Sequence, residues 1–356
     1  MNNYLSVIKL KGQCTIQDLG RSHSQHLGFS GGGAADEYAF LSANKLLNNL
    51  NAVNLPSKNA DLNTHHQKNN PLQKNCLQRN NIAALELTFG QITLKAHCHC
   101  TIAITGADCQ ATINQQPIQH WQVQQLKTGD ELQLSLPRWG VYTYIAVRNG
   151  IQSTPWLGSQ SQTINELALG FTGSAITQGS KIEISAEQST PHCQNTNHSD
   201  KNSYTKAVHS YKNFYQNDLL TLRFIPSSLW QKLPPAIKQQ FCETPYKVLP
   251  NSNRMGYRLS PLQGNAPLII PTTLQAEKTL SHPVTYGAIQ LPSSNEMIVL
   301  MKERQTIGGY PVLGSVMQTD LFRLSQKRSG EKVQFIPISL IQAQQQLMAF
   351  QQRFYK

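Results

Sequence analysis

A chain of 356 residues with 31 Lys and Arg against 19 Asp and Glu carries a formal charge of +12, although charged residues make up only 14% of it. That length favours two domains, and a positive field favours anionic ligands and acidic partner surfaces. Nucleic acid is discounted as a partner, because there is no basic run, zinc-finger spacing or interleaved aromatic and basic motif. No apolar run approaches the roughly 20 residues of a membrane helix. Seven cysteines, scattered from Cys14 to Cys242, make no disulfide framework. The expectation is a soluble, cytoplasmic protein away from membranes.

The amino terminus has no basic stretch before an apolar core, so it reads as a first strand, Tyr4 to Leu10, and not as a signal peptide. Gly31-Gly32-Gly33 then precedes a helix over about 34–48, with Asp36 and Glu37 where they suit the helix dipole. A glycine triplet there is able to cradle an anion. It lacks the G-x-G-x-x-G and G-K-[ST] patterns, so the plainer reading is a tight loop under a helix. Asp18 and Arg21 are pocket residues or a local ion pair. Residues 54–81 are polar and aperiodic, a surface insert in which His65, His66 and Cys76 face solvent.

From Ala83 the chain alternates strands and turns, with strands at 84–89, 92–94, 101–105 and 142–147. His97-Cys98-His99-Cys100 invites a metal reading. Side chains alternate faces along a strand, so the histidines and cysteines would part, and no second ligand cluster stands at a matching spacing. Gly129, Gly179 and Gly330 each precede an alternating strand with apolar residues three and five positions later. Two of these fall in the first half and one near the end. The prediction is a mainly β protein: two β-barrel domains with a few flanking helices, at 1–188 and 214–356, joined by a polar linker at 189–213. Leu157–Thr163 (LGSQSQT) lacks the second glycine of a nucleophile elbow, so its hydroxyls are assigned to holding a ligand or capping a turn.

The second half opens with a strand near 220–226 and a helix over about 228–241. Two polar stretches follow. Arg254 and Arg258, with Gly256 between them, are expected to face one pocket and bind an anion in bidentate fashion. A strand ending at Met301 sets down Lys302, Glu303, Arg304 and Gln305, then turns through Gly308-Gly309 into Tyr310. Glycines there permit positive φ and close approach of backbone to a ligand. A last helix begins at Ser339, with a Ser339/Gln342 capping box and an apolar stripe of Ala343, Leu347, Phe350 and Phe354. The stripe is expected to pack on a barrel or serve another protein chain.

The motifs TIQDLGR (15–21), GGGAADEYA (31–39), ALELTFG (84–90), ITGAD (104–108), LGSQSQT (157–163), SNRMGYRL (252–259), GAIQLP (287–292) and QTIGGYP (305–311) occur in one order over nearly the whole chain. Together they resemble the biotin-dependent carboxyltransferase family, which includes the C subunit of 5-oxoprolinase, the KipA regulators and the allophanate-hydrolase subunit 2-like module of urea carboxylase. The resemblance implies two cyclophilin-like β-barrel domains with a ligand site at their junction. It implies two partners, the KipI-like B subunit and the A subunit of 5-oxoprolinase, and ATP used by the complex to open the 5-oxoproline lactam. No cofactor bound tightly to this chain is expected. In the carboxyltransferase alternative biotin rides on a separate carrier, since no A-M-K-M site is present; in the regulator alternative there is no turnover. Arg254, Arg258 and Gln305 are the catalytic candidates, and Gln290, Thr306, Gly308, Gly309, Tyr310 and Asp18 the candidates for binding a small anionic substrate. Ala35, Asn149, Glu303 and Ser281-His282-Pro283 depart from the family's pattern, and the 54–81 insert has no counterpart in it.

Overall fold

The computed structural model describes residues 3–49, 82–185, 215, 218–262, 280–293 and 296–355. The expected insert (54–81) and linker (189–213) lie outside the described residues.

Nine strands build the N-terminal sheet: β1 (Tyr4–Gln17), β2 (Ala84–Ala96), β3 (Cys100–Gly106), the two-residue β4 (Thr112–Ile113) and β5 (Gln116–Pro117), β6 (Val123–Leu126), β7 (Glu131–Leu134), β8 (Tyr142–Val147) and β9 (Lys181–Glu183). They run in the order β5-β4-β7-β2-β8-β3-β6, with β1 paired to β2 and β9, and they curl over a single apolar core. The C-terminal half has β10 (Leu219–Pro226), β11 (Tyr246–Val248), β12 (Gly256–Pro261), β13 (His282–Pro283), β14 (Ala288–Ser293), β15 (Glu296–Leu300), β16 (Ile307–Gly308), β17 (Val312–Val316) and β18 (Lys332–Pro337). Here β10-β17-β14-β15-β12-β11-β18 form a closed barrel, sealed by the parallel pair β10–β18, while β13 and β16 make a separate ribbon.

The mainly β reading therefore holds, and its turn pattern is realised. Gly129, Gly179 and Gly330 have φ of +95°, +89° and +87°. The apolar residues three and five positions later (Leu132, Leu134, Ile182, Ile184, Val333 and Phe335) are all buried. Strand β1 runs past the expected end at Leu10 because Gly12, at φ +95°, makes a register shift against β2 and crosses close to Gly90. A Cβ on Gly12 would lie 2.9 Å from the Gly90 Cα. The two strands expected at 84–89 and 92–94 are one bent strand, β2.

Strand β8 is buried on both faces, and its period of two divides the molecule. Ile145 and Val147 enter the core of the N-terminal sheet, while Tyr142, Tyr144 and Ala146 enter a second core. That second core also takes residues of α1 (Glu37–Leu46) and the two rings Phe322 and Phe354 from the far half of the chain. Helix α1 is shorter than expected because Asp36 caps it, accepting from the Ala39 N–H. The next helix among the described residues is the short α2 (Ile164–Ala168). The single helix expected over 228–241 is split into α3 (Ser228–Lys232) and α4 (Pro235–Glu243). Pro234 forces Leu233 into an extended backbone between them.

Among the described residues two further helices follow, α5 (Gln318–Ser325) and α6 (Leu340–Tyr355). The capping box is formed: the Gln342 N–H donates to Ser339 Oγ and the Ser339 N–H to Gln342 Oε1. Helix α6 lies across α1 and α5: Phe350 and Phe354 pack against Tyr38, and Phe350 against Phe322, in the core that β8 shares.

Candidate functional site

The loop after β15 faces the N-terminal half, and its residues divide between two tasks. Lys302 and Glu303 are buried in the seam between the halves. The Lys302 ammonium pairs with Glu37, whose carboxylate also accepts from Gln318, and it sits 4.8 Å above the Tyr286 ring. Glu303 pairs with Arg254, whose guanidinium also reaches Glu86 and donates to the Gly33 carbonyl at 2.8 Å. The second oxygen of Glu86 accepts from the Tyr144 hydroxyl at 2.7 Å and the Ala35 N–H at 2.9 Å. Burial alone would lower the Arg254 pKa, but Glu86 and Glu303 outweigh it and the pKa is raised.

This corrects one expectation. Arg254 is 5% exposed and held between two carboxylates, so it is a clamp joining the halves and is not free to take a substrate anion. Nor do the two arginines line one cavity among the described residues. Arg254 and Glu303 border a 610 Å³ cleft at the seam with Phe89, Ile164 and Met255. Arg258 borders a separate 190 Å³ cavity.

That smaller cavity gathers four of the expected residues: Arg258, Gln290, Gln305 and Tyr310. Strand β12 carries Arg258, half-exposed and paired with Glu296 on β15. Gln290 on β14 is fully buried; its Oε1 accepts from Gln305 Nε2 at 3.4 Å, while its own Nε2 has no partner. Gly308 lies outside the left-handed region, contrary to the positive φ expected. Its role is close approach: a Cβ there would stand 2.7 Å from Gln290 Nε2. Gly309 is exposed and borders neither cavity, while Tyr310 closes one side.

Gln305 also borders a 170 Å³ polar cavity, this one built from both halves: Arg21, Ser24 and Gln25 on one side, Arg304 and Thr306 on the other. Gln25 Nε2 donates across the seam to the carbonyls of Val284 and Thr306, both at 2.9 Å. Thr306 thus belongs with Arg304 and not with Arg258.

Asp18 is displaced from its expected role. It is fully buried, and its carboxylate accepts from the N–H groups of Gly20 and Gln160 and from the hydroxyls of Ser159 and Ser161. Those contacts anchor the 157–163 loop, which answers the question of what its serines hold. The glycine triplet packs likewise on backbone: the Arg21 N–H donates to the Gly31 carbonyl and the Ala34 N–H to the Asp18 carbonyl. Among the described residues no group of histidines, cysteines and carboxylates has metal-binding geometry; His97 instead stacks on Tyr4. No helix among them is long and apolar enough to cross a membrane.

Comparison with known proteins agrees with this architecture. Over 340 residues the chain is 28% identical to the C subunit of 5-oxoprolinase from Escherichia coli (strain K12), covering 95% of this chain and 93% of that one. It is 24% identical to the urea amidolyase of Lachancea kluyveri, over 93% of this chain but 17% of that protein. The crystal structure of Kluyveromyces lactis urea carboxylase superposes with a TM-score of 0.74 at 20% identity, covering 99% of this chain and 29% of that one. The family model for the carboxyltransferase domain, subdomains A and B, matches residues 72–337, and the chain belongs to that family.

Proposed function

We propose that this chain acts as the C subunit of an ATP-dependent 5-oxoprolinase, helping open the 5-oxoproline lactam to glutamate in a complex with A and B subunits. The relative that it matches over nearly the full length of both chains is the C subunit of a 5-oxoprolinase. The observation in the structure that carries the reading is the buried, unpartnered amide nitrogen of Gln290 in a cavity shared with Arg258 and Gln305. A buried donor without an acceptor costs free energy, on the order of 1–3 kcal/mol, that a ligand oxygen offsets. At 190 Å³ the cavity suits a molecule smaller than a typical drug-sized ligand.

A five-membered lactam resists hydrolysis, and activation at its carbonyl oxygen, as by phosphorylation from ATP, builds negative charge there. The Gln290 N–H₂ is preorganised to donate to that oxygen, and Gln305, bonded to Gln290, fixes which face of the amide turns inward. Arg258, half-exposed and paired on one side with a half-exposed Glu296, takes the substrate carboxylate through its remaining N–H groups. Tyr310 covers the cavity, and Gly308 leaves Gln290 the room it needs. Arg254 contributes by holding the loop that carries Gln305.

The test mixes the purified chain with its A and B partners and follows ATP-dependent glutamate release from 5-oxoproline. Arg258→Gln and Gln290→Leu are each expected to lower kcat/KM tenfold or more. Turnover of urea that needs bicarbonate and a biotinylated carrier would replace this reading with carboxyl transfer. Binding of the B partner without turnover of either substrate would replace it with a KipA-like regulator.

A further inference from the structure

We infer that the 170 Å³ cavity between the two halves is a binding site for a small oxyanion, of phosphate or carboxylate type, separate from the Gln290 cavity and touching it through Gln305. Two guanidinium groups converge there, one from each half of the chain. Arg21 is 5% exposed. Its Nη2 donates to the Ser161 carbonyl at 2.6 Å, its Nη1 reaches the Ser30 carbonyl at 3.4 Å, and Trp156 lies 5.0 Å from the guanidinium carbon. Its Nε is buried with no partner. Ser24, 3% exposed, lines the same cavity, and its hydroxyl is likewise buried without one.

Arg304 faces them from the C-terminal half. It donates through Nε to the Val284 carbonyl at 3.3 Å, and the Tyr286 ring lies 6.0 Å away. Among the described residues neither arginine forms an ion pair with a carboxylate, whereas Arg223, Arg254 and Arg258 all do. Burial lowers the pKa of both; for Arg304 only Tyr286 works against it, and for Arg21 the carboxylates of Glu166, Asp18 and Glu303 do so at longer range. Asp18 is already taken up by four donors and Glu303 by Arg254, while Glu166, 3% exposed, accepts from the Ser30 hydroxyl at 3.4 Å, keeps one oxygen unpartnered and does not border the cavity. A buried guanidinium and a buried hydroxyl, each with an atom lacking a partner, faced by a second, half-buried guanidinium, are the complement of an oxyanion, whose several oxygens accept from a planar guanidinium and a hydroxyl together. Because the cavity draws on both halves, its occupant would also tie them together.

The test is calorimetric titration of the full chain, without its A and B partners, with potassium phosphate and potassium acetate at fixed ionic strength in chloride. Saturable binding of one anion per chain is expected. Arg304→Gln should weaken it at least tenfold and Ser24→Ala, which removes a single hydroxyl, about tenfold or less. Lys127→Gln, which removes an exposed cation bordering none of these cavities, should leave it unchanged. Tighter phosphate identifies a cleaved nucleotide phosphate as the source, and tighter acetate a carboxylate of substrate or product. Absence of saturable binding of both anions, or an affinity unmoved by both Arg304→Gln and Ser24→Ala, overturns the inference. Because binding is read without partners or turnover, its failure and a failure of the 5-oxoprolinase assay are separate results.

Discussion

Arg254 shows how one side chain acquires its meaning from residues far away in sequence. Truncating it strands Glu86, which is fully buried, and Glu303 beside it. Breaking a buried pair by removing one partner costs on the order of 3–5 kcal/mol. Arg254→Met should therefore lower the urea midpoint of unfolding, and adding Glu86→Gln should recover part of the loss; unchanged midpoints would contradict the clamp. Asp36 gives a pH signature. Burial, working against hydrogen bonds from Tyr215 and Gln326, lifts its carboxyl from 3.8 to about 6. The folded chain then holds a proton between those values that the unfolded chain releases, so this contribution to stability falls as pH rises through the window. Asp36→Asn should remove that slope from a stability–pH curve. Arg254 is visible in the sequence as a cation in a polar stretch near Gly256, but its role is not. Its partner Glu86 is a single charge at an alternating position of ALELTFG, and nothing local separates that from a solvent-facing residue. Only the covering half of the molecule turns it inward.

Secondary elements are legible wherever their signal is local. The three glycine turns, the strand at 142–147 and the capping box of α6 rest on residues within a few positions of each other, and all are present. Boundaries fail where a distant contact decides them. Strand β1 continues through Gly12 because Gly90 leaves space across the sheet, a fact that lies about 78 positions away in the chain. The Gln290 cavity is half legible: four of its residues carry polar or aromatic signals, while Gly308 matters for proximity and not for the torsion its residue type suggests. Gly90 tests the strand crossing. A Cβ there would stand 2.5 Å from the Lys11 carbonyl oxygen, so Gly90→Ala should cost about 1–3 kcal/mol by forcing two strands apart. Thermal unfolding of that variant measures it.

At the scale of the molecule, the two halves are sewn together by polar side chains that stand in for backbone. Gln326 follows α5 in the C-terminal half, yet its Oε1 accepts from the N–H groups of Val141 and Tyr142, and its Nε2 donates to the Tyr142 carbonyl and to Asp36. It thus completes the hydrogen bonding at the start of β8 and at the cap of α1. Arg328 extends the seam by donating to the carbonyls of Pro137 and Gly140. Between these contacts lies the shared core of α1, α5 and α6. With apolar and polar contacts both crossing the seam, the halves should unfold together, in one calorimetric transition. Gln326→Leu keeps the volume but strands the N–H groups of Val141 and Tyr142, each at a cost of about 1–3 kcal/mol, and takes one of several donors from the Tyr142 carbonyl and Asp36. That variant is expected to lose several kcal/mol and to split the transition in two, because the cores inside each half are untouched while the contact between them is weakened. A variant that still melts in one step at the original temperature would show that the shared apolar core, and not the polar stitching, holds the halves together.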